Sequence, residues 1–175
     1  MTKCNAVDIT RSAVFSDCGR FRYSLCRLLK EAKIKSRKTC LFIMLNPSTA
    51  DEVKDDPTIR RCMGFASSWK YARLEVINLY DFRATYPNEL PDPSDLRIGP
   101  RHDHYVNNAI KNADLVVCAW GGSRYANAAN HVKSMILKIQ HHKKTPMCLK
   151  KNKDGSPAHP LYLSKELRPV PFVSD

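Results

Sequence analysis

The fold of this chain is decided by the stretch Cys40-Leu41-Phe42-Ile43-Met44-Leu45-Asn46-Pro47-Ser48-Thr49-Ala50-Asp51. The apolar residues Cys40–Leu45 run without interruption into the polar residues that begin at Asn46. A continuous apolar run ended by a turn signal is typical of a strand buried on both faces of a sheet. Open α/β sheets bind ligands beyond the carboxyl ends of such strands. The polar residues after Leu45 are therefore the first candidates for a functional site.

Similar apolar runs alternate with helical patterns along the rest of the chain. Further strands are predicted at 74–80, 114–120 and 145–149. Residues with a helical period predict helices at 57–71, 101–112 and 125–139. This alternation predicts an α/β fold with three layers, α/β/α, around a central, mostly parallel sheet of about four strands.

The whole chain, 1–175, is most simply one α/β domain, because a chain of this length can bury about two-thirds of its unfolded surface. Its basic amino-terminal segment, 1–38, is predicted to hold a hairpin around Gly19, followed by a helix that begins near Leu25. The core is expected at 39–150. A carboxyl-terminal segment, 151–175, carries a His-Pro pair.

The composition narrows the possible partners. Lys and Arg outnumber Asp and Glu by 29 to 17, which gives a net charge of +12. A basic domain of this size commonly binds polyanions, so DNA is the first expectation, with a solvated basic surface as the alternative. No apolar run reaches the roughly 20 residues that cross a bilayer, and no signal peptide is recognisable. No membrane contact and no obligate protein partner are predicted.

The pattern of cysteines indicates the cellular compartment in which the protein is expected. Seven are scattered without a Cys-x-x-Cys pair, and the six histidines show no zinc-ligand spacing. We expect free thiols in a reducing, cytoplasmic environment, and no metal or other cofactor.

Basic residues accumulate before and after the last predicted strand. No acidic residue occurs between Ala119 and Lys153. The sequence predicts that phosphates are held by Lys143, Lys144, Lys150, Lys151 and Lys153. Arg83 can either reach a phosphate or form a structural ion pair with Asp81.

Asn46, Asn78 and His159 form a second constellation, since each is expected at the carboxyl edge of the sheet. An asparagine amide both donates and accepts, so it can orient a water or read a base edge. His159 can donate to a developing anion. The structural alternatives are an Asx turn at Asn46 and an ordinary packed histidine at 159.

Three acids follow the first predicted strand. Asp51 and Asp55 can act as a general base, or can hold Mg²⁺ together with Asp56. Asp56 precedes Pro57, a helix-start signal, so capping is the preferred role for Asp56.

Several motifs together resemble those of the family catalogued as domain of unknown function 1643. They are Leu45-Asn46-Pro47-Ser48-Thr49-Ala50-Asp51, Asp56-Pro57-Thr58, Asn78-Leu79-Tyr80-Asp81-Phe82-Arg83-Ala84-Thr85, Ala119-Trp120-Gly121 and His159-Pro160-Leu161-Tyr162-Leu163. More distantly, the series is similar to the uracil-DNA glycosylase superfamily, in its mismatch-specific and single-strand-selective branches. Asn46-Pro47 matches the Asn-Pro-Gly core of that superfamily's first motif, with Ser48 in place of the glycine.

The second resemblance implies a uracil-DNA-glycosylase-like fold and a hydrolase that cleaves the N-glycosidic bond of a flipped base. It implies that Asn46 holds the attacking water, with help from Asp51 or Asp55, and that Asn78 reads the base. His159 would stabilise the departing base. Ser48 would line the base pocket, and the candidates for stacking on the base are Phe65, Tyr80 and Phe82. Two alternatives stay open: a non-catalytic nucleic-acid-binding module, and a magnesium-dependent nucleotide or phosphoryl enzyme.

Overall fold

The computed structural model describes residues 11–29, 37–92, 97–122 and 129–172. Within these ranges the strands are β1 Arg11–Phe15, β2 Arg22–Leu28, β3 Thr39–Met44, β4 Arg73–Asn78, β5 Leu115–Cys118, β6 Pro146–Cys148 and β7 Val170–Pro171. The α-helices are α1 Pro57–Ser68, α2 His102–Asn112 and α3 Ala129–His141. Short 3-10 turns occupy Pro87–Glu89 and Pro160–Tyr162.

All seven strands belong to one mixed sheet in the order β1-β2-β4-β3-β5-β6-β7. The four central strands, β4, β3, β5 and β6, are parallel to one another. The outer strands β1, β2 and β7 pair antiparallel. From β3 the chain crosses through α1 to β4 on one side, then through α2 to β5 on the other side of β3. The strand order therefore reverses between β3 and β5, and such a switch point is where open α/β sheets bind ligands.

The α/β class is confirmed, and the predicted runs at 40–45, 74–80, 114–120 and 145–149 form β3, β4, β5 and β6. The prediction of about four, mostly parallel strands is wrong, because the sheet has seven strands and three of its six pairings are antiparallel. Part of the difference is β7, which has two residues and contains Pro171. A strand this short carries no alternation that a sequence pattern can reveal.

The amino-terminal hairpin forms, since β1 and β2 pair antiparallel across a turn in which Gly19 has a φ of 69°. The helix predicted from Leu25 is wrong within the described residues. Leu25 and Leu28 belong to β2 and pair with Val76 and Arg73 of β4. The hydrogen bonds offered by the edge of β4 outweigh a local helical spacing. The remainder of that predicted helix, 30–36, lies outside the described residues.

Helices cover both faces of the sheet, because successive side chains of a strand point to opposite faces. Leu41 and Ile43 of β3 pack in the core beneath α2 and α3. Cys40 and Phe42 pack in the second core, beneath α1. Every residue of β3 is buried, as its unbroken apolar run predicts.

The helix boundaries follow local chemistry. The Asp56 carboxylate caps α1 by accepting a hydrogen bond from the Ile59 N–H at 2.8 Å, and Pro57 occupies the first helical position. The helix ends at Ser68, before the predicted Tyr71, because Lys70 adopts a positive φ of 66°. α2 matches its prediction closely. The predicted start of α3 at Tyr125 lies outside the described residues. Among the described helices, none has the length and apolar character needed to cross a membrane.

Candidate functional site

The carboxyl ends of the three neighbouring strands β4, β3 and β5 lie at one level. The Leu79 N–H donates to the Met44 carbonyl at 2.9 Å, and the Ala119 N–H donates to the Ile43 carbonyl at 2.8 Å. Met44 also pairs with Asn78 in the parallel register. The segments that leave these strands therefore start side by side at the switch point. We call the group formed by Asn46, Asn78, Asp56 and His159 the strand-end site.

Asn78 is the last residue of β4 and is only 1% exposed. Neither Nδ2 nor Oδ1 of its amide has a hydrogen-bond partner among the described residues. Leu74 and Val76, which precede it at alternate positions, pack in the core beneath α1, so Asn78 belongs to that face of the sheet. A buried unpaired polar group typically costs about 1–3 kcal/mol of folding free energy. Among the described residues, the amide therefore lacks the hydrogen bonds that buried polar groups normally make.

Asn46 follows β3 and is half-buried. Its Nδ2 donates to the Ala84 carbonyl at 2.8 Å and to the Pro47 carbonyl at 3.1 Å. These bonds orient the amide and tie the end of β3 to the segment after β4. They replace the expected Asx turn, and Oδ1 accepts no hydrogen bond from the described residues. The neighbouring Ser48 is half-buried, and its hydroxyl makes no hydrogen bond within the described part of the chain.

The His159 ring is partly buried at the start of the Pro160–Tyr162 turn. Its Nδ1 accepts a hydrogen bond from the Leu161 N–H at 3.3 Å, so the neutral ring carries its proton on Nε2. Burial lowers the pKa of His159 below its ordinary value, and the negative charge of Asp56 offsets part of this. The neutral ring, with an Nε2–H donor, therefore predominates at pH 7.

Two glycines after β5 let the segment that carries His159 lie against the sheet. Gly121 has a φ of 78°, and a β-carbon built on it would lie 3.4 Å from the His159 Cβ. Its N–H donates to the Pro157 carbonyl at 2.9 Å. A β-carbon on Gly122 would lie 2.9 Å from the Asp154 carboxylate, so that side chain would have to move to accept it.

The three acids after β3 have structural partners. Asp51 accepts hydrogen bonds from the Val53 N–H at 2.8 Å and the Lys54 N–H at 2.6 Å, which lower the pKa of its carboxyl. Asp55 lies 2.8 Å from Arg27 and 2.7 Å from Arg11 in two ion pairs. The capping role predicted for Asp56 is confirmed. No three His, Cys, Asp or Glu side chains among the described residues come together as metal ligands.

The three aromatic candidates do not share one wall of the strand-end site. Tyr80 is fully buried in the core beneath α2 and α3, with its ring 5.3 Å from that of His131. Phe82 packs against the same core, edge-on to Phe21. Phe65 of α1 is buried in the core on the Asn78 face, with its ring 5.4 Å from that of Trp69.

The predicted phosphate-binding residues lie at two ends of the sheet. Lys150, Lys151 and Lys153 are exposed and follow β6, at the same edge as the strand-end site. Lys143 and Lys144 precede β6, at the opposite edge. The Lys144 ammonium donates to the Ala113 carbonyl just after α2, at 2.6 Å. The five lysines therefore do not share one edge of the sheet, because a strand separates the two groups.

Arg83 is exposed beside the hairpin turn. Its guanidinium donates to the Gly19 carbonyl at 3.3 Å and lies 4.9 Å from the centre of the Phe15 ring. It forms no ion pair with Asp81, whose buried carboxylate lies 2.9 Å from His102 Nδ1.

Two residues near the site were not predicted from the sequence. Tyr162 is 92% exposed and lies three residues after His159. Its position close to the His-Pro pair in the sequence could have identified it as a candidate. Arg22 is 2% exposed in β2 and donates from Nη1 to the Ala50 carbonyl at 2.7 Å. Its sequence neighbourhood carried no signal of burial, since arginine is normally a surface residue.

These residues define an α/β protein with a polar site at the switch point of a mixed sheet. The chain matches the family described as "Protein of unknown function (DUF1643)" over residues 22–161, which is 140 of its 175 residues. The chain belongs to this family. No curated protein and no solved structure matches the chain.

Proposed function

We propose that this protein is a DNA N-glycosylase with a uracil-DNA-glycosylase-like architecture, which removes a normal or modified base that has been flipped out of the strand. The observation that carries the proposal is Asn78, a buried amide at the switch point whose donor and acceptor both lack a partner among the described residues. A nucleobase offers adjacent acceptor and donor atoms on its pairing edge. Pairing with such an edge would compensate both unpaired atoms of Asn78 at once.

The neighbouring residues support hydrolysis of the base–sugar bond. The Asn46 amide is held by Ala84, and its free Oδ1 can accept a hydrogen bond from a water and orient that water towards the sugar carbon. As the C–N bond breaks, its electron pair moves onto the base. The Nε2–H of neutral His159 donates to the base and stabilises this negative charge. Asp51 and Asp55 shape the segment around the water rather than accept its proton, which leaves to solvent.

The exposed surface around the site suits single-stranded or flipped-out DNA. Lys150, Lys151 and Lys153 place positive charge at this edge, where they can contact phosphates. The exposed Tyr162 offers an aromatic face on which a base can stack. Arg83 can extend the basic track beyond the hairpin turn.

We infer a cytoplasmic location and a reaction without a resident cofactor. Cys18, Cys26, Cys40, Cys62, Cys118 and Cys148 are all free thiols. Free thiols persist in a reducing compartment. Each step of the proposed reaction uses only water and side chains of this chain.

The test is base release from varied DNAs, including heavily modified phage DNA, followed by mass spectrometry of the released bases. Asn46→Ala and His159→Ala should lower release about 10²–10³-fold, because each removes a group that contacts the reacting atoms. The matched controls are Asn108→Ala and His141→Ala, two exposed helical residues away from the site. Full activity in the Asn46 and His159 variants would contradict the proposal.

A second candidate is a nucleic-acid-binding module of the same fold without catalysis, supported by the net charge of +12 and the exposed lysines after β6. Salt-sensitive DNA binding with no base released from any DNA would favour it. Activity abolished by a chelator and restored by Mg²⁺ would instead favour a phosphoryl enzyme that uses Asp51, Asp55 and Asp56.

A further inference from the structure

Arg22 is a buried cation to which the described residues offer no carboxylate partner. It is 2% exposed, its Nη1 donates to the Ala50 carbonyl at 2.7 Å, and its buried Nε has no hydrogen-bond partner among the same residues. Nη2 donates no hydrogen bond to the described residues, and none of their carboxylates lies within ion-pair distance. Buried charges in proteins are normally paired, because desolvation of a lone charge is strongly unfavourable.

A second arginine on the same strand shows how this chain satisfies a buried guanidinium. Arg27 is 1% exposed, and its Nε donates to the Asp55 carboxylate at 2.8 Å. Its two remaining nitrogens donate to backbone carbonyls, among them those of Cys26 and Asp51. Arg27 thus has a carboxylate partner and a hydrogen bond from each of its three guanidinium nitrogens, whereas the Arg22 guanidinium has only one carbonyl partner among the described residues. The difference indicates that the partner of Arg22 is not part of the described chain.

The electrostatics connect Arg22 with the strand-end site. Burial lowers the pKa of Arg22 to about 10, and the negative charges that oppose this are those of Asp56 and Asp51. The same Asp56 carboxylate acts on His159. The Arg22 N–H also donates to the Asp81 carbonyl at 2.9 Å, three residues beyond Asn78. Arg22 and His159 therefore both lie within the field of Asp56, at the amino end of α1.

We propose that Arg22 is an anion-binding residue of the strand-end site, and that the substrate carries an oxyanion, a phosphate or a carboxylate, beside the edge that Asn78 reads. This inference deepens the proposed function and rests on it. The unpaired Nε and Nη2 form the side of a guanidinium that binds two oxygens of one oxyanion in parallel. A lysine at this position could not provide that paired geometry.

Access to Arg22 requires one local movement. Ala50 supplies the one acceptor that the Arg22 side chain has among the described residues. It lies in the segment 45–56 between β3 and α1, which has no regular secondary structure. A shift of this segment releases Nη1 and opens the Nε–Nη2 side towards the carboxyl edge of the sheet. An oxyanion then binds to Nε and Nη2 and supplies the missing negative charge.

Calorimetry at physiological salt distinguishes a phosphate from a carboxylate as the oxyanion, because each anionic probe is compared with its neutral counterpart. Deoxyuridine 5′-monophosphate is compared with deoxyuridine, and 5-carboxyuracil with uracil. In the unchanged protein one anionic probe should bind at least tenfold more tightly than its neutral match. The preference should fall below about threefold in Arg22→Gln, be partly kept in Arg22→Lys, and persist in Arg73→Gln, a matched change at an exposed arginine that starts β4, at the opposite edge of the sheet.

The outcomes separate this inference from the proposed function. No preference for either anionic probe, or a preference that survives in Arg22→Gln, would overturn the role of Arg22. Base release could still be observed in that case. Conversely, anion preference that depends on Arg22, together with no base release from any DNA, would leave Arg22 as an anion site and remove the glycosylase proposal.

Thermal unfolding tests whether the role of Arg22 is purely structural. Arg22→Met removes an uncompensated charge, so its melting temperature should be unchanged or higher than that of the original protein. Arg27→Met, in contrast, removes a buried ion pair with Asp55 and the hydrogen bonds to the Cys26 and Asp51 carbonyls, so it should melt at a lower temperature. A fall in melting temperature for both Arg22→Met and Arg22→Gln as large as that for Arg27→Met would overturn the proposal.

Discussion

At the scale of single residues, the buried amide of Asn78 lowers the stability of the folded protein. Its amide lies in an apolar core, and the described residues offer it no partner. Stability alone would favour leucine at this position, where Leu74 and Val76 already line the same core. The proposed pairing of Asn78 with a base would account for a polar residue here, because a functional site can carry a cost in folding free energy.

Asn78→Leu should therefore raise the free energy of unfolding, or leave it unchanged, while base release is lost. Leucine has a similar volume, and the substitution removes a desolvation cost of about 1–3 kcal/mol. Urea unfolding measures the first effect, and mass spectrometry of released bases measures the second. A loss of more than about 1 kcal/mol in stability would show that the amide has a structural partner.

Cys18 provides a second test at this scale, on the exposed hairpin turn. The Ser16 hydroxyl, 3.3 Å from the thiol, and then Arg20 lower the pKa of Cys18 from 9.0 to about 7. Since the thiolate is the nucleophile, the rate of alkylation by iodoacetamide should be half-maximal near pH 7. Burial raises the pKa of Cys26 to about 12, so Cys26 should stay unmodified.

Peptide mass mapping across pH, with Cys18→Ser as the control, follows this alkylation. Ser16→Ala should move the midpoint to higher pH, because it removes the largest stabilising contact of the thiolate. A midpoint near pH 9 in the unchanged protein would contradict the prediction.

At the scale of elements, the segment between β3 and α1 is held by β2. Arg27 of β2 donates to the Asp51 carbonyl and pairs with Asp55, and Arg22 of β2 donates to the Ala50 carbonyl. The sequence predicted Asp55 as a candidate base or metal ligand, yet its carboxylate is the partner of a buried arginine. The long-range pairing of β2 with β4 creates this arrangement.

Asp55→Asn should reduce the free energy of unfolding by about 3–5 kcal/mol, because it leaves the Arg27 guanidinium buried without a countercharge. The matched control is Asp103→Asn, which breaks the pair with Lys138 at the surface and should cost less than about 1 kcal/mol. Urea denaturation of both variants provides the comparison. Equal, small losses would show that Asp55 is free for another role.

The glycines provide another matched pair of substitutions. Gly121→Ala places a β-carbon on a residue with a φ of 78° and brings it close to His159, so it should cost about 1–3 kcal/mol. Gly64→Ala, in the exposed middle of α1 with open space around it, should instead stabilise by about 0.5–1 kcal/mol. Thermal and urea unfolding measure both changes. Opposite signs are expected, and a neutral Gly121→Ala would contradict the close approach of the two segments.

At the scale of the whole molecule, the sheet divides the positive charge into two groups. The lysines after β6 share an edge with the strand-end site, whereas Lys143 and Lys144 lie at the other edge. A net charge of +12 favours binding to nucleic acid anywhere on the surface. The position of the strands decides which of these charges lie near the site.

Salt dependence of DNA binding tests this division. Changing Lys150 and Lys153 to alanine together should reduce the slope of log affinity against log salt by about 1–1.5 for single-stranded DNA, since each phosphate contact contributes roughly 0.7. Changing Lys143 and Lys144 together, the control at the opposite edge, should leave the slope nearly unchanged. Fluorescence anisotropy with a labelled oligonucleotide measures both. Equal effects would show that DNA does not bind at the strand-end edge.

Local patterns in the sequence determined the central part of this protein. The unbroken apolar run of β3, the Asp56-Pro57 start of α1 and the helical period of α2 depend on neighbours in the chain, so each could be predicted. Because parallel strands end at one edge, the sequence also predicted that Asn46 and Asn78 lie there.

Only the tertiary structure decided which polar residues have partners. Arg22 and Arg27 belong to the same strand, and Asp51, Asp55 and Asp56 belong to the same segment, so no local pattern distinguishes them. The pairing of β2 with β4 places Arg27 against Asp55, whereas the Arg22 guanidinium has a single carbonyl as its partner among the described residues. Burial and pairing of charges depend on contacts between residues far apart in the chain. Within the described part of the chain, these contacts leave the buried groups of Asn78 and Arg22 unsatisfied.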